Sequence, residues 1–75
     1  MERYRNLGGD SGVAAFEIGP DFVRVQFTTG HVYLYTYASA GIQNIERMKL
    51  LARSGQGLNS FIDTTVRTRY ARIER

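Results

Sequence analysis

Three tyrosines at alternating positions, Tyr33, Tyr35 and Tyr37, form the most distinctive chemical pattern of this chain. Side chains two residues apart on a β-strand point to the same face, so the three phenol rings share one side of a sheet. Such rings either fill a small core or stack on unpaired bases. Each stacked base contributes about 1–3 kcal/mol to the free energy of binding. Most of the ring area is expected in the core, and Tyr37, at the strand end, is expected to be partly free.

A basic segment near the end of the sequence is the second chemical pattern. Residues 47–75 contain seven lysines and arginines against two acids, in a chain with a net charge of +3. This asymmetry favours anionic partners, and guanidinium groups match pairs of phosphate oxygens. The alternative interpretation is an ordinary solvated face. The residues that we predict to bind nucleic acid are Arg67, Arg69, Arg72, Tyr37 and Tyr70.

Residue types that support catalysis or hold a metal are scarce. The chain has no cysteine, a single histidine at His31, and carboxylates that are dispersed rather than paired. No nucleophile therefore has a base beside it, and no metal-ligand spacing occurs. The glycine-rich turn Gly55–Gly57 lacks the lysine and strand context of a phosphate-binding loop. We expect no enzymatic activity, no metal and no cofactor.

The length of 75 residues corresponds to one small domain. The absence of cysteine excludes disulfides, so packing alone or a partner subunit must stabilise the fold. No apolar run approaches the roughly 20 residues of a membrane span, and Met1–Arg5 lacks the apolar stretch of a signal peptide. The sequence therefore predicts a soluble, cytoplasmic protein without a membrane partner, with a flexible N-terminal arm at residues 1–11 and a single domain at residues 12–75.

Alternating apolar and polar residues predict three antiparallel strands that would position the tyrosines. The first strand is Val13–Ile18, the turn Gly19–Asp21 follows it, and the second strand is Phe22–Thr28. The third strand carries Tyr33 and Tyr35. Val32 and Leu34 alternate with them and leave a second apolar face, which needs a cover from the C-terminal helix or from a second subunit.

The loop before the third strand decides which face the tyrosines occupy. A two-residue turn would require positive φ at Thr29, which a β-branched residue resists, whereas a three-residue bulged loop requires it only at Gly30. The pairs that the bulged loop predicts are Phe27 with His31, Val25 with Tyr33, and Val23 with Tyr35. A shift of one residue would instead place the tyrosines beside Arg24 and Gln26. The bulged loop and a tyrosine-lined core are favoured.

Two helices are predicted after the sheet. Ser39 would cap a helix from about Ala40 to Arg53, and Gly55 would end this helix. Its apolar stripe consists of Ile45, Met48 and Ala52, flanked by Ile42 and Leu51. A shorter basic helix with Asn59 as its cap is predicted from residues that recur every four positions, which are Leu58, Ile62, Val66 and Tyr70. The fold class is α+β: a three-stranded antiparallel β-meander followed by an amphipathic helix and a shorter C-terminal helix.

Several of these motifs together resemble the KTSC domain. They are the hairpin Phe27–Val32, the Tyr33-Leu34-Tyr35 motif and, after a helix and a glycine-rich turn, Leu58–Ile62 and Val66–Tyr70. That domain is named for its place at the C-terminus of some lysyl-tRNA synthetases, and it also occurs in small stand-alone bacterial and phage-associated proteins. The resemblance covers residues 12–72 and departs from the family at Ala38–Gly41, where members often carry a glycine-valine-proline step. It implies the α+β fold described above and suggests RNA binding.

The sequence therefore predicts a small non-catalytic module that binds RNA or single-stranded nucleic acid. The alternative is a protein-interaction or homodimerisation module that uses the face of Val32 and Leu34 or an exposed sheet edge. The salt dependence of binding distinguishes the two, because phosphate contacts weaken steeply with salt and an apolar interface does not.

Overall fold

A five-stranded antiparallel sheet, whose strands lie side by side in chain order, forms the centre of the computed structural model, which describes residues 1–75. The strands are β1 (Glu2–Arg3), β2 (Val13–Ile18), β3 (Phe22–Phe27), β4 (Val32–Thr36) and β5 (Arg72–Ile73). The helices are α1 (Tyr37–Ala40), α2 (Ile42–Ser54) and α3 (Leu58–Phe61), which continues as a π-helical turn at Ile62–Val66. The α+β class and the three central strands agree with the prediction, and β1 and β5 are additional. None of the helices has the length and apolar character needed to cross a membrane.

The β3–β4 hairpin has the predicted register. Gly30 adopts φ +98°, and its N–H donates to the carbonyl oxygen of Phe27 at 2.8 Å, while the N–H of Phe27 donates to the carbonyl oxygen of His31 at 2.9 Å. Further along the ladder Val25 pairs with Tyr33 and Val23 with Tyr35. The tyrosines thus share the core face with the valines, as the bulged loop requires.

The first helical segment begins differently from the prediction. Thr36, and not Ser39, is the N-cap of α1, and Ser39 is the third helical residue of a capping box in which each side chain binds the other's backbone N–H. Gly41, with φ +95°, then separates α1 from α2. The core stripe of α2 is as predicted, since Ile45, Met48 and Ala52 are buried, whereas the flanking Ile42 is 60% exposed. Gly55 ends α2 in the left-handed conformation.

The prediction of a basic helix that continues through Tyr70 is wrong. Helix α3 starts after Gly57 rather than at an Asn59 cap, and helical structure stops at Val66. A turn at residues 67–68 and a bend at Ala71 lead the chain to β4, where the N–H of Ala71 donates to the carbonyl oxygen of Leu34 at 2.6 Å. Pairing with the open edge of β4 satisfies backbone groups that the edge would otherwise leave to solvent. Arg67, Arg69 and Arg72 consequently lie outside any helix.

The N-terminal segment, predicted to be a flexible arm, contacts the domain at several points. Strand β1 pairs with β2, and the ring of Tyr4 is only 4% exposed. The hydroxyl of Tyr4 accepts a hydrogen bond from the backbone N–H of Leu58 at 3.3 Å, at the start of α3. The N–H of Leu7 donates to the carbonyl oxygen of Gly55 at 2.8 Å. Residues 1–11 are largely polar, and this composition did not indicate that Tyr4 would be buried in the core.

The second face of the sheet is closed by β5 and by ion pairs, not by a helix. Val32 and Leu34 are 6% and 7% exposed, although neither belongs to the main core cluster. Arg24 stands opposite Leu34 on β3, and its guanidinium donates to Glu74 Oε1 at 2.6 Å and to Glu17 Oε1 at 3.0 Å. The two apolar side chains are thus buried within a single chain, on the sheet face where Arg24 forms its ion pairs with Glu17 and Glu74.

Replacing Gly30 tests the loop that sets the register. Gly30→Val should lower the free energy of unfolding by about 1–3 kcal/mol, because a β-branched residue at positive φ is strained. Nothing lies within 4 Å of a Cβ added at Gly30, so the cost is conformational and not steric. Urea denaturation measures it, with Gly8→Val as the control at a glycine without positive φ. Equal stability of the parent and Gly30→Val would contradict the loop assignment.

The ion pairs over the second face predict a pH dependence. The hydrogen bond from Arg24 holds the pKa of the Glu74 carboxyl below its ordinary value of 4.5. A lowered folded-state pKa means that this carboxylate stabilises the fold above pH 4.5 and that the contribution is lost as the pH falls through the lower value. Glu74→Gln should therefore be less stable than the parent at pH 7, and the difference should vanish at strongly acidic pH.

Denaturation midpoints measured from acidic to neutral pH check this expectation. Glu2→Gln is the matched control, because it removes a carboxylate that forms no salt bridge. A stability difference between Glu74→Gln and the parent that does not change with pH would show that the ionised carboxylate contributes nothing.

Candidate nucleic-acid interface

An open groove of about 430 Å³ lies between the β3–β4 hairpin and the segment that follows the π-helical turn. The sheet forms the base of the groove through Tyr33 and Tyr35, which lie on the core face of β4. The apolar side chains of the groove are Phe27, Tyr33, Tyr35, Ile62 and Tyr70. Its polar and charged side chains are Thr29, His31, Asp63, Arg67 and Thr68. Of the residues predicted to bind nucleic acid, the groove brings together Arg67 and Tyr70.

Edge-to-face contacts fix the aromatic side chains of the groove. The rings of Tyr33 and Tyr70 are 4.9 Å apart at 89°, and those of Tyr35 and Tyr70 are 6.3 Å apart at 84°. Phe27 meets Tyr33 in the same manner at 5.4 Å. Each such pair contributes about 0.5–1.5 kcal/mol beyond the burial of its area. Tyr70 thereby joins the core through an extended segment, although its spacing had suggested a helical stripe.

The hydroxyl of Tyr35 is the most unusual polar group of the groove. The residue is 1% exposed, and the hydroxyls that bond to other protein groups are those of Tyr4 and Tyr37. No polar side-chain atom that is fully shielded from solvent lacks a partner, so the Tyr35 oxygen is reached from the groove that it lines. Burial raises the pKa of Tyr35 well above 10, with further contributions from Tyr33, Tyr70 and Asp63. The phenol therefore keeps its proton and can donate.

The three arginines of the basic segment have different surroundings. Arg67 lines the groove, and Arg69 is exposed two residues further on, and neither forms a salt bridge. Arg72 instead lies on β5, and its Nη2 is 3.0 Å from Glu74 Oε2. Arg67 is thus an unpaired cation in the groove, Arg69 is an unpaired, exposed cation that is not part of the groove lining, and Arg72 is already paired.

Tyr37 lies outside the groove, at the opposite end of β4 from His31. Its hydroxyl donates to Glu46 Oε2 at 2.6 Å, and this hydrogen bond raises the pKa of Tyr37. Lys49 lies 5.5 Å from the centre of the Tyr37 ring, forms a salt bridge with Glu46, and donates to the carbonyl oxygen of Pro20 at 2.9 Å. The tyrosine therefore belongs to a polar cluster that ties the β2–β3 turn to α2.

Two groove residues that can titrate, His31 and Asp63, were not among the predicted site residues. The sequence indicated His31 only as a residue at a hairpin turn, and Asp63 only as a charge. In the structure His31 Nδ1 is 3.1 Å from the carbonyl oxygen of Arg75 and its ring lines the groove. Asp63, in the π-helical turn, brings a carboxylate to the same groove. No local signal could reveal Asp63, because only the fold brings it to the lining of the groove.

Comparison of the chain with protein-family models, with curated proteins and with solved structures finds no match in any of the three. The resemblance to the KTSC domain therefore rests on the sequence motifs alone. The function has to be inferred from the chemistry of the groove itself.

Proposed function

We propose that this chain is a small non-catalytic module that binds single-stranded nucleic acid, RNA in particular. The observation that carries the proposal is the groove with aromatic walls, with Arg67 in its lining and Arg69 two residues along the chain. Unpaired bases bind to aromatic side chains, and guanidinium groups bind phosphate oxygens, so the groove offers both kinds of contact at one place. The resemblance to the KTSC domain points in the same direction.

The distribution of charge supports an anionic ligand at this position. The cations engaged in salt bridges are Arg24, Lys49 and Arg72. Arg67 in the lining of the groove and Arg69 two residues further on form no salt bridge. Against these arginines the groove itself contains one acid, Asp63. A phosphate backbone that passes the mouth of the groove would therefore meet Arg67, with Arg69 two residues along the chain, while a base packs against the aromatic side chains that line the groove.

Removal of Arg67, in the groove lining, together with Arg69 tests the proposal. The parent should bind a labelled single-stranded RNA at about 50 mM salt and release it as salt rises. Arg67→Ala combined with Arg69→Ala should weaken binding and lower the slope of log affinity against log salt by about 0.7 for each phosphate that is no longer neutralised. Fluorescence anisotropy measures both quantities. Thermal melting should show an intact fold, because exposed arginines contribute little to stability.

A second double variant provides the control for net charge. Arg3→Ala combined with Arg47→Ala removes the same charge from β1, at the far edge of the sheet, and from the exposed side of α2. Arg72 stays unchanged in both variants because its replacement would disturb the ion pair with Glu74. Equal decreases of affinity in the two double variants, or no binding by the parent at about 50 mM salt, would contradict the proposal.

The second candidate function is protein interaction or self-association through the outer edge of β5. The observation that favours it is that β5 ends the sheet and that Ile73, on this strand, is 49% exposed. Backbone groups on such an edge are available to pair with another strand. The face of Val32 and Leu34 no longer supports this candidate, because both side chains are buried within one chain.

Sedimentation velocity at low and high micromolar concentration tests the edge. Self-association should appear as a concentration-dependent species that is larger than the monomer, and Ile73→Lys should abolish it because a charge on an edge strand opposes pairing. A control variant, Ile42→Lys, places the same charge on an exposed position of α2. A single monomeric species at every concentration would exclude a homodimer.

A further inference from the structure

A second cavity, of about 280 Å³, lies between the loop of residues 6–12 and the turn that leads into α3. Ligand sites in proteins are concave and orient their ligands through a few placed polar groups. Here polar groups surround nearly the whole volume, so the cavity suits a small polar ligand. Apart from two glycines and Tyr4, the lining residues are all polar: Asn6, Asp10, Ser11, Gln56, Asn59 and Ser60.

Tyr4 brings a hydrogen-bond donor to this cavity from a buried position. The residue is 4% exposed, and its hydroxyl oxygen accepts from the N–H of Leu58 at 3.3 Å. Leu58 lies between Gly57 and Asn59, which both line the cavity, so this hydrogen bond places the hydroxyl at the cavity wall. A phenol hydroxyl both accepts and donates, and this one donates to no group of the protein. Its proton is therefore left for a ligand.

Three half-buried side chains of the lining leave further hydrogen-bonding groups unused. Asn6 Oδ1 accepts from the N–H of Ser11 at 3.0 Å, and the Asn6 amide N–H groups remain free. Ser11 Oγ accepts from the N–H of Val13 at 3.0 Å, and its own proton remains free. The side chain of Asn59 packs against Gly12, its Oδ1 3.2 Å from the position of an added Cβ, and forms no hydrogen bond within the protein.

The charge of the cavity narrows the class of ligand. Asp10 is its only charged lining residue, and a negative charge there opposes a phosphate. An ammonium group only donates, so it would leave the donors of Tyr4, Asn6 and Ser11 without an acceptor. A hydroxyl group both donates and accepts. The hydroxyls of a sugar can therefore bind the carboxylate and the free donors at the same time.

The cavity adjoins the groove that carries the proposed function. The N–H of Thr28 donates to the carbonyl oxygen of Gly12 at 2.7 Å. Ser11, on one side of this contact, lines the cavity, and Phe27, on the other side, lines the groove. Little more than one backbone contact separates the two volumes, so a strand that packs a base in the groove brings a sugar to the cavity.

We propose that the cavity binds a ribose of an RNA strand and recognises its 2′-hydroxyl. The Tyr4 hydroxyl donates to the sugar, the Asp10 carboxylate accepts from it, and the Asn59 amide adds a further contact. The 2′-hydroxyl, which donates and accepts, is the group by which a protein distinguishes RNA from DNA. This inference rests on the proposed binding of single-stranded nucleic acid and adds to it the site that selects RNA.

Matched oligonucleotides measure the selection directly. A uridine RNA octamer should bind the parent about tenfold more tightly than the deoxyuridine octamer, as expected when one or two hydrogen bonds are lost. A 2′-O-methyl octamer keeps the oxygen but cannot donate from it, so it should lose most of the preference. The three octamers carry the same phosphates, and fluorescence anisotropy at about 50 mM salt compares them without any variant.

Two variants then assign the preference to the cavity. Asn59→Ala and Asp10→Ala remove side chains that form no hydrogen bond or salt bridge within the protein, and thermal melting should show an intact fold. Each should lower the ratio of RNA affinity to DNA affinity severalfold. The matched controls, Gln43→Ala and Asp21→Ala, remove an exposed amide and an exposed acid outside the cavity and should leave the ratio unchanged.

Free D-ribose tests whether the sugar has to belong to a strand. The RNA octamer should shift the backbone amide resonances of Ser11 and Asn59, whereas D-ribose alone should shift them little because it lacks the contacts in the groove. Shifts of these resonances by D-ribose, together with equal affinities for the RNA and DNA octamers, would assign the cavity to a free sugar and overturn the inference.

The remaining outcomes separate this inference from the function on which it rests. Equal binding of the RNA and DNA octamers, or a preference that survives both Asn59→Ala and Asp10→Ala, overturns the ribose site and leaves the nucleic-acid module in place. Absence of binding to every octamer at about 50 mM salt overturns both proposals together.

Discussion

The rest of the structure depends on the register of β3 against β4, which the loop before His31 sets through Gly30 at φ +98°. Side chains alternate along a strand, so a shift of one residue would move every tyrosine of β4 to the opposite face. In the observed register the ring of Tyr35 lies in the core beside Val23. The same register turns its hydroxyl toward the groove. One turn geometry thus determines both the packing of the domain and the chemistry of its candidate site.

The segment after the π-helical turn closes the sheet on both faces. On one face Tyr70 packs its ring edge-to-face against Tyr33 and Tyr35. On the other face Glu74 binds Arg24 above the buried apolar side chains of β4. Between these contacts β5 pairs with the edge of β4. A short chain without cysteine has few sources of stability, and here a single extended segment stabilises two faces of the sheet at once.

Core packing and the lining of the groove are divided between different atoms of the same side chains. The rings of Tyr35 and Tyr70 contribute packing, whereas their hydroxyl groups form no hydrogen bond within the protein and line the groove. The arginines show a comparable division. Arg24 and Arg72 hold the second face together through Glu74, while Arg67 beside the groove has no acidic partner. Stability and the proposed ligand binding can therefore be tested separately, by variants that change a hydroxyl or a charge but not a ring.

The sequence by itself determined the elements whose signals are local. Period-two alternation defined the three central strands, the preference of glycine for positive φ defined the β3–β4 register, and the apolar stripe defined the buried face of α2. Only the tertiary structure decided that helical structure ends at Val66, that Tyr4 anchors the N-terminal segment, and that Asp63 lines the same groove as Tyr35. The recurrence of apolar residues every four positions from Leu58 to Tyr70 is also compatible with one continuous helix. The chain leaves the helix because the open edge of β4 offers its backbone a ladder of hydrogen bonds, and residues more than 30 positions apart in the sequence form that ladder.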